Sequence, residues 1–294
     1  MSVIGVGTMG RGIAQAAALA GYEVVLFDSD RPRAVEGVEI IKQNLDRLMS
    51  KEASPQSSPA PGEKVSVAEN LEGVAESFLL IEAIAEDRAA KAGLFSKMDA
   101  LCGAHGVMAS NTSSIPITEI ASHTRHPGNV IGLHFMNPVS LMKGVEIIRG
   151  LQTSDATYQK TLRFAKRLGK EPVRSADRAG FVINRILMPL INEAIALVEE
   201  GTATIEDVDK GALHCLNHAM GPLALSDLIG NDTTHHILSV LEHEFGEKFK
   251  PAPLLTRMVE AGFHGNKTGG GFYHWENNKP LRVNAALSNF LGSG

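Results

Sequence analysis

Gly5-Val6-Gly7-Thr8-Met9-Gly10 follows the apolar run Ser2–Ile4 and opens the small-residue stretch GRGIAQAAALAG. The glycines are spaced G-x-G-x-x-G. That pattern is weak alone and informative between a strand and a helix. Gly5 permits the tight turn, Gly7 lets a backbone approach a pyrophosphate, and Gly10 lets the helix pack close to the sheet. A helix opening at Thr8 and Met9 presents unpaired N–H groups and the positive end of its dipole to phosphates. Asp28 closes the next β-run, EVVLFD (23–28), at the distance where an acid meets the ribose hydroxyls of a dinucleotide. A carboxylate there repels a 2′-phosphate and favours NAD over NADP; Arg31 and Arg33 work against that preference.

Working outward, apolar runs recur at SFLLIEAI (77–84), GVMAS (106–110), NVIGLHF (129–135) and GVEIIRG (144–150). Between several of them lie segments with apolar residues three and four apart, such as RAAKAGLFSKMDAL. Strands alternating with helices imply an α/β fold, a Rossmann-type and mostly parallel sheet. SDATYQKTLRFAKRLGK reads as a further helix, with Ser154 or Asp155 as N-cap and Gly169 as its stop. Beyond EPVRSADRAGF the texture becomes helical throughout, and Thr204 with Asp207 has capping-box spacing. The reading is two domains: 1–178, dinucleotide-binding, and 179–294, a helical C-terminal substrate and dimerisation domain. The segment KEASPQSSPAPGEK (51–64) is too rich in Pro and Ser for a regular helix and reads as an exposed loop.

The chain has 294 residues, 44% hydrophobic and 21% charged, with a net charge of -5. Such a balance disfavours nucleic acid or an anionic membrane as the main partner. No apolar run approaches the roughly 20 residues that span a bilayer. MSVIGVGTMG has neither the charged start nor the cleavage site of a secretory signal. Cys102 and Cys215 are too few and too isolated for a disulfide framework or a zinc site. His214 and His218 are four apart, but nothing acidic completes a metal site with them. A soluble, cytoplasmic protein without a metal is expected.

The stretch GLHFMNPVSLMKGVEII (132–148) contains the main anomaly. A buried strand has no packing use for His134 or Glu146. Two runs joined by one short turn can bring these side chains together, at the carboxyl end of a sheet where ligands bind. A carboxylate on one imidazole nitrogen fixes the tautomer and leaves the other to take a proton. Such a base is what alcohol oxidation needs beside a hydride acceptor. Taken locally, the pair is equally readable as a satisfied polar contact inside the core.

GVGTMG, ASNTSS, GLHFMNP with VEII, GFVINRI and GNKTGGGFY occur in that order along nearly the whole chain. Together they resemble the L-3-hydroxyacyl-CoA dehydrogenase family, nearest its short bacterial 3-hydroxybutyryl-CoA branch. The resemblance implies His134 as general base and Glu146 as its partner. It implies Ser113 as a hydrogen-bond partner of the substrate oxygen and Asn184 as a holder of the thioester. Asn111 would lie beside the nicotinamide, with Glu86 and Lys91 in contact with the cofactor and Lys267 near it from the second domain. It further implies a homodimer formed through the helical domain. Ser113 and Asn111 also read as plain loop residues, and Asn184 as a helix-surface residue.

Three departures from that pattern bear on function. The Pro/Ser-rich segment stands where the family has a second helix of the arm that clasps CoA. This leaves an acyl-carrier protein as an alternative carrier to CoA in the thioester substrate. Ala179 replaces a usual proline before Gly-Phe, implying a looser hinge, and Gly144 replaces a bulky apolar residue, leaving room near Glu146. A free hydroxy-acid or sugar-acid dehydrogenase is the second enzyme reading. A non-catalytic protein on this fold is disfavoured, because Ser113, His134, Glu146 and Asn184 are all present.

Overall fold

The computed structural model describes residues 1–51 and 60–287. The chain divides into two compact units, Met1–Phe181 and Val182–Gly294. The first unit runs β1 (Ser2–Ile4), α1 (Thr8–Leu19), β2 (Val24–Phe27), α2 (Arg31–Lys51), β3 (Val65–Val67) and β4 (Leu79–Glu82). It continues with α3 (Arg88–Cys102), β5 (Val107–Ser110), α4 (Ile117–Ser122), β6 (Val130–Phe135), β7 (Gly144–Arg149), α5 (Asp155–Arg167) and β8 (Glu171–Ala176).

These eight strands form one sheet in the order β3-β2-β1-β4-β5-β6-β7-β8. All neighbours are parallel except β6 and β7. The six apolar runs noted in the sequence are all strands. β4, β5 and β6 are buried along their whole length, as expected for strands with both faces covered. β3 and β8 are additional. β3 is only three residues long, and β8 carries Pro172 with an alternation too weak to read, which suits an edge strand. Apolar side chains of α1, α2 and α5 cover one face and those of α3 and α4 the other.

The local signals act as their chemistry dictates. Ser154 is the N-cap of α5, accepting from Thr157 N, and Gly169 leaves that helix at φ +69°. The segment 51–64 departs from an exposed loop at its end. Lys51 closes α2, residues 52–59 lie outside the described residues, and Pro61–Lys64 form a 3₁₀ turn with Pro61 and Gly62 buried. Pro suits the first position of such a turn, where its missing N–H is not needed.

The second unit contains α6 (Ile183–Glu199), α7 (Ile205–Cys215), α8 (Pro222–Ile229), α9 (Asn231–Phe245) and α10 (Pro253–Glu260). A hairpin of β9 (Tyr273–Glu276) and β10 (Lys279–Val283) follows. Thr204 accepts from Asp207 N at 3.1 Å and donates to its Oδ2 at 2.8 Å, the capping arrangement read from the sequence. Asp227 is fully buried and accepts from Phe272 N, Tyr273 N, Trp275 Nε1 and Asn231 Nδ2, tying the GGGFYHW segment to α8. Among the described residues no helix is long and apolar enough to cross a membrane.

Candidate active site

The glycine loop joins β1 to α1 at the sheet's carboxyl edge. Gly5 has φ +98°, and a Cβ there would come within 2.5 Å of Ala83 O. A Cβ on Gly10 would overlap the Gly5 carbonyl oxygen, so that helix and turn approach only because Gly10 has no side chain. Gly7 differs: a Cβ there would meet only Arg33 Nη2, at 3.9 Å. The space over Gly7 is therefore open on the side of the α1 N-terminus, which has no side-chain cap. Thr8 and Met9 form the first turn beneath it. Asp28 Oδ2 accepts from Val6 N at 3.0 Å and its Oδ1 from Asp30 N at 3.1 Å, which binds the second strand's acid to the loop. A cavity of about 770 Å³ opens between these elements and α3, lined by Gly5, Asp28, Ile84, Leu94 and Lys97 among others. Open backbone at Gly7, an uncapped helix start and an acid at the cavity wall suit a dinucleotide.

His134 and Glu146 occupy opposing positions of the antiparallel β6/β7 ladder. Directly opposed residues project to the same face, and His134 Nδ1 lies 2.8 Å from Glu146 Oε2. Both side chains are buried, at 9% and 1% exposure, so water competes little for the contact. The ring of Phe181 meets the imidazole edge-on, with centroids 5.8 Å apart. Phe181 holds φ +47°, a region that a bulky residue adopts only under external constraint.

Asn111 and Ser113 follow β5, and Asn111 N donates to Glu82 O at 2.9 Å as the last bond of the β4/β5 ladder. Asn111 Oδ1 accepts from Phe135 N at 2.9 Å, so this side chain fastens the loop to the strand end beside His134. The rest is held by Glu86. Its Oε1 accepts from Thr112 Oγ1 at 2.6 Å, Ser113 N and Ser114 N at 3.0 Å, and Ser114 Oγ at 2.9 Å. Ser113 Oγ lies 3.5 Å from the same oxygen. Lys91 Nζ pairs with Glu86 Oε2 at 3.2 Å and with Glu82 Oε1 at 2.6 Å. Burial pushes the Glu86 carboxyl up. The Lys91 ammonium and the hydroxyls of Thr112 and Ser114 outweigh that effect and hold it down at about 2.

His134, Glu146, Asn111, Ser113, Glu86 and Lys91 thus form one bonded neighbourhood in the first unit. Gly5, Gly7, Thr8, Met9, Gly10 and Asp28 form another along the same sheet edge. Asn184 and Lys267 belong to the second unit. Asn184 is buried in the first turn of α6, and Lys267 is ion-paired with Asp232 at 2.6 Å.

Glu82, Ser110 and Phe181 are site neighbours that the sequence reading did not single out. Glu82 had a signal, since it is an acid in the otherwise apolar run SFLLIEAI. Phe181 had none, because its contact with the imidazole joins distant parts of the chain.

Residues 1–178 match the family described as 3-hydroxyacyl-CoA dehydrogenase, NAD binding domain. Residues 180–275 match 3-hydroxyacyl-CoA dehydrogenase, C-terminal domain. A probable 3-hydroxybutyryl-CoA dehydrogenase of Bacillus subtilis is 46% identical over 276 residues, covering 93% of this chain and 96% of that one. The crystal structure of (S)-3-hydroxybutyryl-CoA dehydrogenase PaaH1 from Ralstonia eutropha superposes with a TM-score of 0.89 at 41% identity, covering 94% of this chain and 98% of that one. FadB2 of Mycobacterium tuberculosis gives a TM-score of 0.89 at 42% identity, with the same coverage.

Proposed function

Since the chain belongs to the 3-hydroxyacyl-CoA dehydrogenase family of NAD-dependent oxidoreductases, we propose that it interconverts a short-chain (S)-3-hydroxyacyl-CoA and the 3-oxoacyl-CoA. In this reading residues 1–178 bind NAD and residues 179–294 bind the thioester and pair two copies into a homodimer. The exposed apolar side chains of Ile186, Leu216 and Leu228 in the second unit support the pairing.

The observation that carries the proposal is the buried His134–Glu146 contact on the face where β6 ends, beside a loop that carries Ser113. Nδ1 is engaged by the carboxylate, so Nε2 is the atom that takes the proton of the substrate hydroxyl. The Glu146 carboxylate keeps the ring in that tautomer and supports the imidazolium once the proton has arrived. Ser113 Oγ hydrogen-bonds the substrate oxygen, stabilising it as the C–O bond gains double-bond character. Asn184 holds the thioester. Asp28, Gly7 and the first turn of α1 would hold NAD, with Asn111 beside the nicotinamide, Glu86 and Lys91 in contact with the cofactor, and Lys267 near it. When bound, NAD supplies the acceptor for the hydride that leaves the substrate carbon. In the reverse direction His134 Nε2 returns the proton to the developing alkoxide.

Following NADH absorbance with 3-oxobutyryl-CoA tests this reading. His134→Gln is expected to lower kcat by about 10²–10⁴-fold with NADH binding retained, the usual contribution of a positioned general base. A normal rate in that variant overturns the mechanism. Faster turnover of a free hydroxy acid than of the thioester would overturn the substrate class. The carrier-protein alternative rests on the Pro/Ser-rich segment 51–64, of which residues 52–59 lie outside the described residues. The names of the relatives favour CoA. Turnover of matched CoA- and carrier-protein-linked substrates separates the two.

A further inference from the structure

Glu82 is the last residue of β4 and has no exposed surface. An isolated carboxylate in such a place is very costly, so its bonds reveal what it holds together. Oε1 accepts from Ile84 N at 2.8 Å and from Lys91 Nζ at 2.6 Å. Oε2 accepts from Ser110 Oγ at 2.6 Å. Ser110, equally buried, in turn accepts from Thr112 N at 3.2 Å. Two paths therefore lead from Glu82 to the Ser113 loop. One runs through the Ser110 hydroxyl to the Thr112 backbone. The other runs through Lys91 to Glu86, which binds Thr112, Ser113 and Ser114.

Both paths matter because the strand ladder ends with Asn111 N on Glu82 O, and the N–H groups of Thr112, Ser113 and Ser114 go to side chains instead. Two carboxylates also share one ammonium, and Lys91 lies closer to Glu82 than to Glu86. Glu82 therefore sets how much of the Lys91 charge reaches Glu86, and with it how firmly Glu86 can gather the loop's N–H groups.

We propose that Glu82 is a positioning residue for Ser113, acting through the buried Ser110 hydroxyl and the Lys91–Glu86 pair. This rests on the role given to Ser113 above. Glu82 touches neither substrate nor cofactor; it sets where the Ser113 hydroxyl stands.

Glu82→Gln nearly preserves volume. Its amide oxygen can still receive Ile84 N and Lys91, but an NH₂ group replaces the oxygen facing Ser110. The serine proton then has no acceptor there, and the hydroxyl that receives Thr112 N is no longer tied to a charge, so it holds the loop less firmly. Lys91, relieved of one carboxylate, draws Glu86 away from the loop.

A double-mutant cycle on kcat, with 3-oxobutyryl-CoA and NADH, tests this. Glu82→Gln alone is expected to lower kcat about 10-fold. In a Ser113→Ala background the same substitution should change kcat by less than about twofold, because the group it positions is already gone. Equal losses in both backgrounds, or no loss in the first, overturn the proposal. Ser113→Ala without effect on its own would refute the role of Ser113 itself and this inference with it. Should Glu82→Gln fail to fold, Ser110→Ala leaves every charge in place and breaks one path. It should lower kcat in the wild-type background and not in Ser113→Ala, and additivity there is equally fatal.

Discussion

Replacing Glu146 by glutamine isolates what the carboxylate contributes to His134, the base proposed above. Side-chain volume is nearly unchanged, and the position is 1% exposed, so water cannot replace the lost charge. The contact to His134 Nδ1 is 2.8 Å, a normal charge-assisted hydrogen bond. Such bonds contribute about 1.5–3 kcal/mol, against about 0.5–1.5 kcal/mol for neutral ones. Exchanging charge for an amide dipole therefore removes about 1.4 kcal/mol of support for the protonated ring, or about 10-fold in kcat. That figure assumes the amide oxygen faces Nδ1. If the amide nitrogen turns to the ring, the imidazole proton is forced onto Nε2, the nitrogen that must accept one. The loss then approaches about 10⁴-fold, the scale of a base held in the wrong tautomer. The assay is NADH formation at saturating 3-hydroxybutyryl-CoA, with circular dichroism as the check on folding. A folded Glu146→Gln enzyme within about twofold of wild-type kcat would refute the reasoning, since either amide orientation predicts more.

Three further outcomes follow from the same contacts. Asp28→Asn removes the charge that repels a 2′-phosphate, and kcat/KM for NADP relative to NAD is expected to rise about 10-fold; an unchanged ratio would place the discrimination elsewhere. Glu86 has a carboxyl held at about 2, below its ordinary value of 4.5. A folded-state value below the unfolded one gives stability that is complete above pH about 4.5 and is lost as pH falls toward about 2. The gap in Tm between wild type and Glu86→Gln should thus be constant near neutrality and narrow through that acid window; a gap that widens there contradicts the ion-pair account. Asp227→Asn faces four N–H donors with an amide in place of a carboxylate. At least one donor loses its acceptor, and urea denaturation should report a loss of about 1–3 kcal/mol.

What the sequence disclosed depended on the range of the interaction. Gly5 and Gly10 act within one β-turn-helix unit, so spacing alone predicts their roles in the turn; the bond from Val6 N to Asp28 at the end of the next strand has no such signal. His134 and Glu146 lie twelve residues apart across one turn, and the ladder register that joins them is local enough to anticipate. Strand β8 and the contact of Phe181 with the imidazole depend on long-range pairing that has no periodic signature. Glu82 was legible in principle, as an acid inside an apolar run just like His134. What identified the histidine was a recognisable chemical use, and Glu82 has none until Lys91 and Ser110 are seen beside it. The buried Pro61–Gly62 turn escapes the sequence for the opposite reason: Pro and Ser composition signals irregular backbone, not exposure.

The two halves of the site are fixed by different physical means, and they should fail differently. His134 and Glu146 hang on adjacent antiparallel strands, where backbone bonds on either side of the pair hold its register even if one side chain is altered. Ser113 lies beyond the last ladder bond, on a loop held largely by side chains that converge on Glu86 Oε1. Several hydrogen bonds to one ionised oxygen are cooperative in low dielectric, so losing the charge loosens all of them together. Substitutions around the base should therefore leave the backbone in place and act on the chemistry. Substitutions around Glu86 should change both, because there the same bonds keep the loop folded and keep Ser113 in position.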